Sequence, residues 1–404
     1  MTADAITRVP GFKAAGVTCG LKDSGNKDLA LIVSDRPCVW GAVFTTNVFR
    51  AAPVLYDEAL LARTGGQGLQ GVVINAGRAN ACTGERGLRD AEQMARRAEA
   101  AAGLPPNSVC VMSTGLIGAP LPMDKVEAGI KQAVRVLSAD GGAAAAEAIM
   151  TTDTVPKGAF ARFTAGGRRI SIGAIAKGSG MIHPNLATML AVIATDAPLS
   201  AAGLNAALRR AVSVSFNRLS VDGDTSTNDT VAALASGGAG DAPLDGPELE
   251  QFSTVLTGVC VELAKAIARD GEGATKLVEI RVRGARTEAA AAAAAAAIAT
   301  SPLSKTALFG NDPNWGRFLA AVGRSGATID PHQTALWLKT PAAQVQLVGG
   351  GQPLSFDAPA LSRAMGNAAE VSITVHLGVG SAEAVYWTCD LSYKYVEINA
   401  EYHT

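Results

Sequence analysis

The sequence predicts an α/β protein of the α+β kind, with layered sheets covered by helices. Three observations predict it. Strand-like runs of β-branched and apolar residues recur along the whole chain. Helix-periodic stretches stand between many of them. The two kinds do not alternate in the strict order that a parallel doubly wound sheet requires, so the sheets are mainly antiparallel or mixed. At 404 residues and 48% apolar content, the chain is long and greasy enough to bury a sizeable core.

In order along the chain, the strand-like runs are 29–33, 72–75, 109–112, 169–176, 190–194, 277–282, 334–338, 345–347, 371–377 and 384–388. Helical spacing of apolar residues marks 90–102, 125–137, 203–214 and the long stretch 249–268. Residues 289–297 are nine consecutive alanines. Alanine has the best intrinsic helix propensity, Thr287 stands where a cap would, and Ile298 continues the apolar stripe, so a helix is expected. Residues 236–246 read as a loop, 300–307 as the approach to a loop, 349–351 as a surface turn and 395–398 as strand-like.

A formal net charge of −1 argues against a polyanion-binding surface, and no basic run carries interleaved aromatics, so no nucleic-acid partner is expected. The apolar runs 189–194 and 289–299 fall short of the roughly 18 residues that a membrane span needs. The first eight residues lack a signal-peptide pattern. A soluble, cytoplasmic protein with no membrane partner is the expectation. The six cysteines and four histidines are scattered, so no metal site is expected. Cys38, Cys110 and Cys260 sit in apolar runs and read as buried thiols.

Chemistry concentrates where polar or glycine-rich segments break the apolar pattern. The first is 177–195. Thr188 lies there between a Gly/Pro/Asn loop and an apolar run, where a side chain can be aimed into a cleft. If the Ala187–Thr188 bond were cut, Thr188 would carry a hydroxyl nucleophile and its own α-amine as base. Ser113-Thr114-Gly115 ends a strand run; it is either an oxyanion hole or an ordinary strand-end turn. The hydroxyl run Thr151-Thr152-Asp153-Thr154, with Lys157, is either a polar-ligand contact or a helix cap and turn. Lys177 either meets a substrate carboxylate or is a solvated loop lysine. His183 reads as a loop histidine.

Residues 220–230 superficially resemble a calcium loop. Thr227 stands where such a loop needs glycine, and Ala233 where it needs glutamate, so a hydrogen-bonded scaffold or substrate wall fits better. Glu272, between Gly271 and Gly273, either holds a substrate ammonium or sits in a surface turn. The dense turn 309–317 is either a pocket wall or a rigid structural loop. The polar tail 399–404 either frays or folds over a site.

Together these segments resemble the bifunctional glutamate/ornithine N-acetyltransferase family of arginine biosynthesis. The likeness is carried by Lys177-Gly-Ser-Gly-Met, Ala187-Thr188-Met189-Leu190, 220–230, 270–276, 312–317 and 399–404. The runs 113–115 and 151–154, and Asn75-Ala76-Gly77 with Asn80-Ala81-Cys82-Thr83-Gly84, also match in order. The likeness runs essentially end to end.

The resemblance implies the family's self-processing fold, with cleavage between Ala187 and Thr188. The products would be an N-terminal (alpha) chain, 1–187, and a C-terminal (beta) chain, 188–404. It implies Thr188 as the acetyl-accepting nucleophile and Thr114 and Gly115 as the oxyanion hole. It implies substrate contacts at Thr154, Lys177, Thr188, Glu272, Asn399 and Thr404. The implied reaction moves an acetyl group from N-acetyl-ornithine to glutamate without a cofactor, with acetyl-CoA as an alternative donor. The implied assembly is a heterotetramer of two alpha and two beta chains. Family members often end in serine, whereas this chain ends in Thr404, which keeps the hydroxyl and terminal carboxylate. The competing readings are a self-cleaved amidohydrolase or aminopeptidase, a paralogue in a secondary-metabolite pathway, and an uncleaved binding protein of the same fold.

Overall fold

The computed structural model describes residues 2–183 and 189–401. One sheet is built from β1 (Phe12–Val17), β2 (Leu29–Phe44), β3 (Gln67–Arg78), β4 (Val109–Leu116), β5 (Lys157–Ala165), β6 (Arg168–Lys177), β7 (Leu190–Thr195) and β8 (Thr230–Ala235). Its order is β4-β3-β2-β8-β7-β6-β5, with β1 paired onto β2. The β3–β4 and β7–β8 pairs are parallel; the others are antiparallel. A second sheet holds β9 (Leu277–Ala285), β10 (Ala335–Lys339), β11 (Gln344–Gly349), β12 (Gln352–Pro353), β13 (Glu370–His376) and β14 (Ala382–Cys389). Its order is β12-β11-β10-β13-β9-β14, and β9–β13 is its parallel pair.

The helices are α1 (Ala52–Thr64), α2 (Gly84–Ala102), α3 (Met123–Arg135), α4 (Gly142–Ala148), α5 (Ala201–Ser213), α6 (Gly246–Arg269), α7 (Glu288–Ala299), α8 (Pro302–Phe309), α9 (Trp315–Gly323), α10 (Ala358–Gly366) and α11 (Tyr393–Glu401). The strand period of two divides side chains between layers. Leu31 and Val33 of β2 join Val73, Val109 and Val111 beneath Met94 of α2 and Ile130 of α3. Ile32, between them, joins Ile74, Met112, Val192 and Leu234 on the other face. Ile172, Ile193 and Val231 pack under Leu208 of α5 and Phe252 and Leu263 of α6. The second sheet covers Val278, Ile280 and Val282 with Ile298 of α7, Phe318 of α9 and Leu361 of α10. Each such fully buried side chain contributes roughly 1.5–3 kcal/mol.

Helix α6 has the length and hydropathy of a membrane span, but 56% of its most apolar window is buried. Packed against α5 and the first sheet, it is a core helix. Strand β2 runs well past the expected run 29–33. Its pairing register with β3 shifts between Val33 and Cys38, and its second half pairs with β8 instead. The alanine run is a helix, and the Thr287 hydroxyl accepts the Ala290 N–H at 3.1 Å.

Two expectations are corrected. Residues 300–307 are not a loop approach: Ser301 accepts the Ser304 N–H at 3.3 Å and Pro302 opens α8. Proline at the first helical position is already set for helix. Residues 395–398 lie within α11, where Tyr395 accepts from the Asn399 side chain one turn on.

Candidate active site

One cleft collects most of the chemical segments. It lies where the ends of β3, β4 and β6 meet the segments leading into β7 and β8. Its walls carry Thr114 and Gly115, Thr151 and Thr152, Lys177 to Met181 in part, Ser226 to Asn228, Glu272 and Asn399.

The Thr114–Gly115 corner is fixed by its backbone. Gly115 (φ 123°) pairs with Gly77 (φ 121°), and the β3–β4 register shifts at Arg78. A Cβ on Gly115 would lie 2.4 Å from the carbonyl carbon of Gly77, so both the conformation and the contact demand glycine. The Ser113 hydroxyl donates to Asn75 Oδ1 at 2.6 Å. From the loop before β8, Asn228 Nδ2 donates to the carbonyls of Ala79 (2.6 Å) and Ser113 (2.9 Å). Three segments are thus tied at one point.

Lys177 ends β6 and is 2% exposed. Its ammonium donates to Thr151 Oγ1 at 2.7 Å and to Thr114 Oγ1 at 3.2 Å. A threonine oxygen that accepts from an ammonium keeps its own proton to donate into the cleft, and does so more strongly. Burial pushes the Lys177 ammonium to a lower pKa; Asp153 opposes that, Lys157 adds to it, and Asp229 and Glu272 oppose it. Burial alone would raise the Asp153 carboxyl, yet Lys177, Lys157 and hydrogen bonds from Lys157 and the Gly178 N–H bring it down to about 2.

Glu272 lines the same cleft as this cation. Its backbone N–H donates to the Ser179 carbonyl at 2.9 Å, and Asn399 Nδ2 donates to its Oε2 at 2.8 Å. A Cβ on Gly180 would lie 2.4 Å from the Glu272 carboxyl carbon, so the loop glycine makes room for the acid. An ammonium and a carboxylate lining one cleft suit a zwitterionic amino acid.

Ala187, Thr188 and Thr404 lie outside the described residues, but the flanks of the 184–188 segment are described. On one side Asp222 accepts the N–H groups of Met181 (2.6 Å) and Ile182 (2.9 Å). Burial raises the Asp222 carboxyl to about 6 against these donors. On the other side the fully buried Asp229 accepts the Met189 N–H at 3.0 Å. Burial pushes Asp229 well above the usual carboxylate range; the Met189 N–H, Lys177 and Ser226 oppose the shift.

The cleft brings together Thr114, Gly115, Lys177, Glu272 and Asn399. It does not include Thr154, which is exposed and donates through N–H (3.0 Å) and hydroxyl to Asp270. Thr151 and Thr152, in the same run, line the cleft instead. The run 220–230 is the scaffold expected of it. The 309–317 turn is structural: Asn314 accepts the Arg317 N–H at 3.2 Å and caps α9. His183 Nδ1 lies 3.3 Å from the Ser220 hydroxyl, and burial lowers its pKa. Sequence alone does not single out Asp222, Asp229 and Asn228 for their roles; their one signal is polar residues crowded directly before an apolar strand.

The family model that matches this chain is that of the ArgJ family, over residues 13–404. The chain belongs to the ArgJ family. It is 51% identical over 406 residues to the arginine biosynthesis bifunctional protein ArgJ of Symbiobacterium thermophilum, covering 100% of this chain and 99% of that one. To the protein of the same name from Parasynechococcus marenigrum it is 48% identical, covering 100% and 96%. Among solved structures, ArgJ from Bacillus halodurans matches at 39% identity over 51% of this chain and 96% of that chain, with a TM-score of 0.49. As an ArgJ-family member the chain is a bifunctional enzyme of arginine biosynthesis, a glutamate N-acetyltransferase and amino-acid N-acetyltransferase that moves acetyl between ornithine and glutamate.

Proposed function

We propose that this ArgJ-family enzyme transfers acetyl through Thr188 as a self-generated N-terminal nucleophile. The observation that carries the reading is the Lys177 ammonium held against the Thr114 hydroxyl, with Glu272 lining the same cleft. Lys177 pairs with Leu190 at the start of the strand that Thr188 leads into.

Maturation comes first. Thr188 Oγ attacks the Ala187 carbonyl, and the peptide bond gives way to an ester as the proton from Oγ passes to the leaving nitrogen. Water then hydrolyses the ester, leaving an alpha chain, 1–187, and a beta chain, 188–404. A free α-amine ordinarily titrates at roughly 7.7–8.0, so a good fraction of the new one is neutral near physiological pH.

In turnover that amine takes the Thr188 Oγ proton as Oγ attacks the acetyl carbonyl of N-acetyl-ornithine. Thr114 and the Gly115 N–H receive the developing oxyanion. Ornithine departs with the proton, leaving acetyl-Thr188. The amine of glutamate attacks this ester and restores the hydroxyl. One amide is exchanged for another, so no cofactor or energy source is needed. Lys177 meets the α-carboxylate that the two amino acids share, Glu272 meets the side-chain ammonium of ornithine, and Asn399 orients Glu272. Thr404 is a further substrate contact by the resemblance to the family, whereas Thr154 stands outside the cleft and is bonded to Asp270. Acetyl-CoA serves as a second acetyl donor to glutamate. The working form is a heterotetramer of two alpha and two beta chains in the cytoplasm.

The test is transfer from N-acetyl-ornithine to isotopically labelled glutamate. The reading expects labelled N-acetylglutamate and free ornithine in equal amounts. Acetate release without N-acetylglutamate would make the chain a hydrolase and sink the reading.

A further inference from the structure

We propose that Lys157 is a positioning residue for amino-acid binding, a buried link that sets the separation between the Lys177 and Glu272 walls of the cleft. Its side chain is 0% exposed and does not line the cleft. Its ammonium donates to Asp153 Oδ1 at 2.6 Å and to Asp270 Oδ2 at 2.5 Å, with the Val155 carbonyl at 3.4 Å.

Each carboxylate goes on to hold one wall. Asp153 Oδ1 also accepts the Gly178 N–H at 2.6 Å, and its Oδ2 accepts the Thr151 N–H at 3.0 Å. Thr151 is the residue whose hydroxyl receives the Lys177 ammonium. Asp270 accepts the Thr154 N–H and hydroxyl, and it stands two residues before Glu272. One path from Lys177 to Glu272 therefore runs Thr151, Asp153, Lys157, Asp270, almost all of it buried, beside the shorter one in which the Ser179 carbonyl accepts the Glu272 N–H.

The link joins segments on either side of the 187–188 bond. Lys157 and Asp153 precede it, and Asp270 follows. Once that bond is cut, the pair from Lys157 to Asp270 becomes a contact between two chains, where covalent continuity no longer fixes the walls. A buried charge set of this kind adds little net stability over an apolar replacement. Its value here is geometric, because a zwitterion bound between opposite charges loses both contacts when the walls separate.

The inference rests on the amino-acid-binding reading above. It is tested on full-length protein carrying Lys157→Met, and on a second variant, Asp153→Asn/Lys157→Met/Asp270→Asn, which removes the charges together and so avoids stranding two carboxylates. Processing is read by denaturing electrophoresis and melting by calorimetry. Ornithine affinity is read by titration, and KM and kcat with both substrates.

In whichever variant folds and is cut, ornithine Kd and both KM values should rise about tenfold or more while kcat falls less than threefold. A folded, cut variant with Kd and KM within twofold of wild type overturns the link, and so does a fall confined to kcat. If wild type itself makes no N-acetylglutamate, the functional reading fails, while the ornithine titration still decides the role of Lys157.

Discussion

Gly115 faces Gly77 across the β3–β4 pair, and a Cβ on Gly115 would lie 2.7 Å from the Arg78 nitrogen as well as 2.4 Å from the Gly77 carbonyl carbon. Backbone, unlike a flexible side chain, cannot swing away. Gly115→Ala should therefore displace the oxyanion corner and lower kcat on the scale of losing a whole donor, about 2.7–4 kcal/mol of barrier. Thr114→Ala, which removes the hydroxyl held by Lys177, should fall in the same range with an unchanged melting temperature. Steady-state kinetics on the two variants check this, and wild-type kcat in either would remove that residue from the oxyanion site.

Gly180→Ala drives a methyl group into the Glu272 carboxyl. The acid must turn away from the cleft, so KM for N-acetyl-ornithine should rise about tenfold, equivalent to about 1.4 kcal/mol. Asn399→Ala frees the same carboxylate without pushing it and should raise KM less. A reversed order of the two effects would show that Glu272 does not contact substrate.

Asp222 gives the fold a signed pH dependence. Its folded-state carboxyl titrates at about 6, against 3.8 for an ordinary aspartate. Between those values the folded state holds the extra proton, so this group costs stability as pH rises from about 4 to about 6. Asp222→Asn has no proton to lose. Its melting temperature relative to wild type should climb over that window and level off above it. A difference that stays flat with pH would contradict the shift. The comparison cancels the contributions of Asp229 and of Asp57, a buried α1 carboxyl that accepts the Val111 N–H at 2.9 Å and is likewise pushed up by burial, because both are present in both proteins.

Thr188→Ser keeps a hydroxyl and an α-amine and should still be cut and transfer acetyl. Thr188→Ala should remain a single chain without transfer. Denaturing gels and the glutamate assay read both, and full transfer by the alanine variant would require a different nucleophile.

Much of the site is legible in the sequence because its residues break an otherwise apolar pattern. Thr114–Gly115, Lys177 and Glu272 each sit at the end of a strand or between glycines, and all line the cleft. Thr151 and Thr152 are visible only as part of a hydroxyl run; which member turns inward depends on Asp153 folding the run back on itself. Among the elements, β7 and α7 are readable from continuous apolar and alanine runs, and β9 from apolar residues alternating with charged ones. Strand β8, Thr-Val-Ala-Ala-Leu-Ala, is not, because alanine favours helix locally and only pairing between β2 and β7 makes it a strand. Helix α11 misleads for a similar reason: its Tyr395, Val396 and Ile398 are strand formers, but none of its residues is buried in a sheet. Lys157 is visible only as a neighbour of that hydroxyl run, since a lysine gives no hint in sequence that Asp153 and the distant Asp270 will enclose it.

The most direct measurement is intact mass spectrometry of the purified protein after brief exposure to N-acetyl-ornithine without glutamate. The predicted result is two chains, 1–187 and 188–404, with the second heavier by one acetyl group that disappears when glutamate is added. A single full-length chain, or two chains that never gain an acetyl group while transfer proceeds, would contradict an acetyl-Thr188 mechanism.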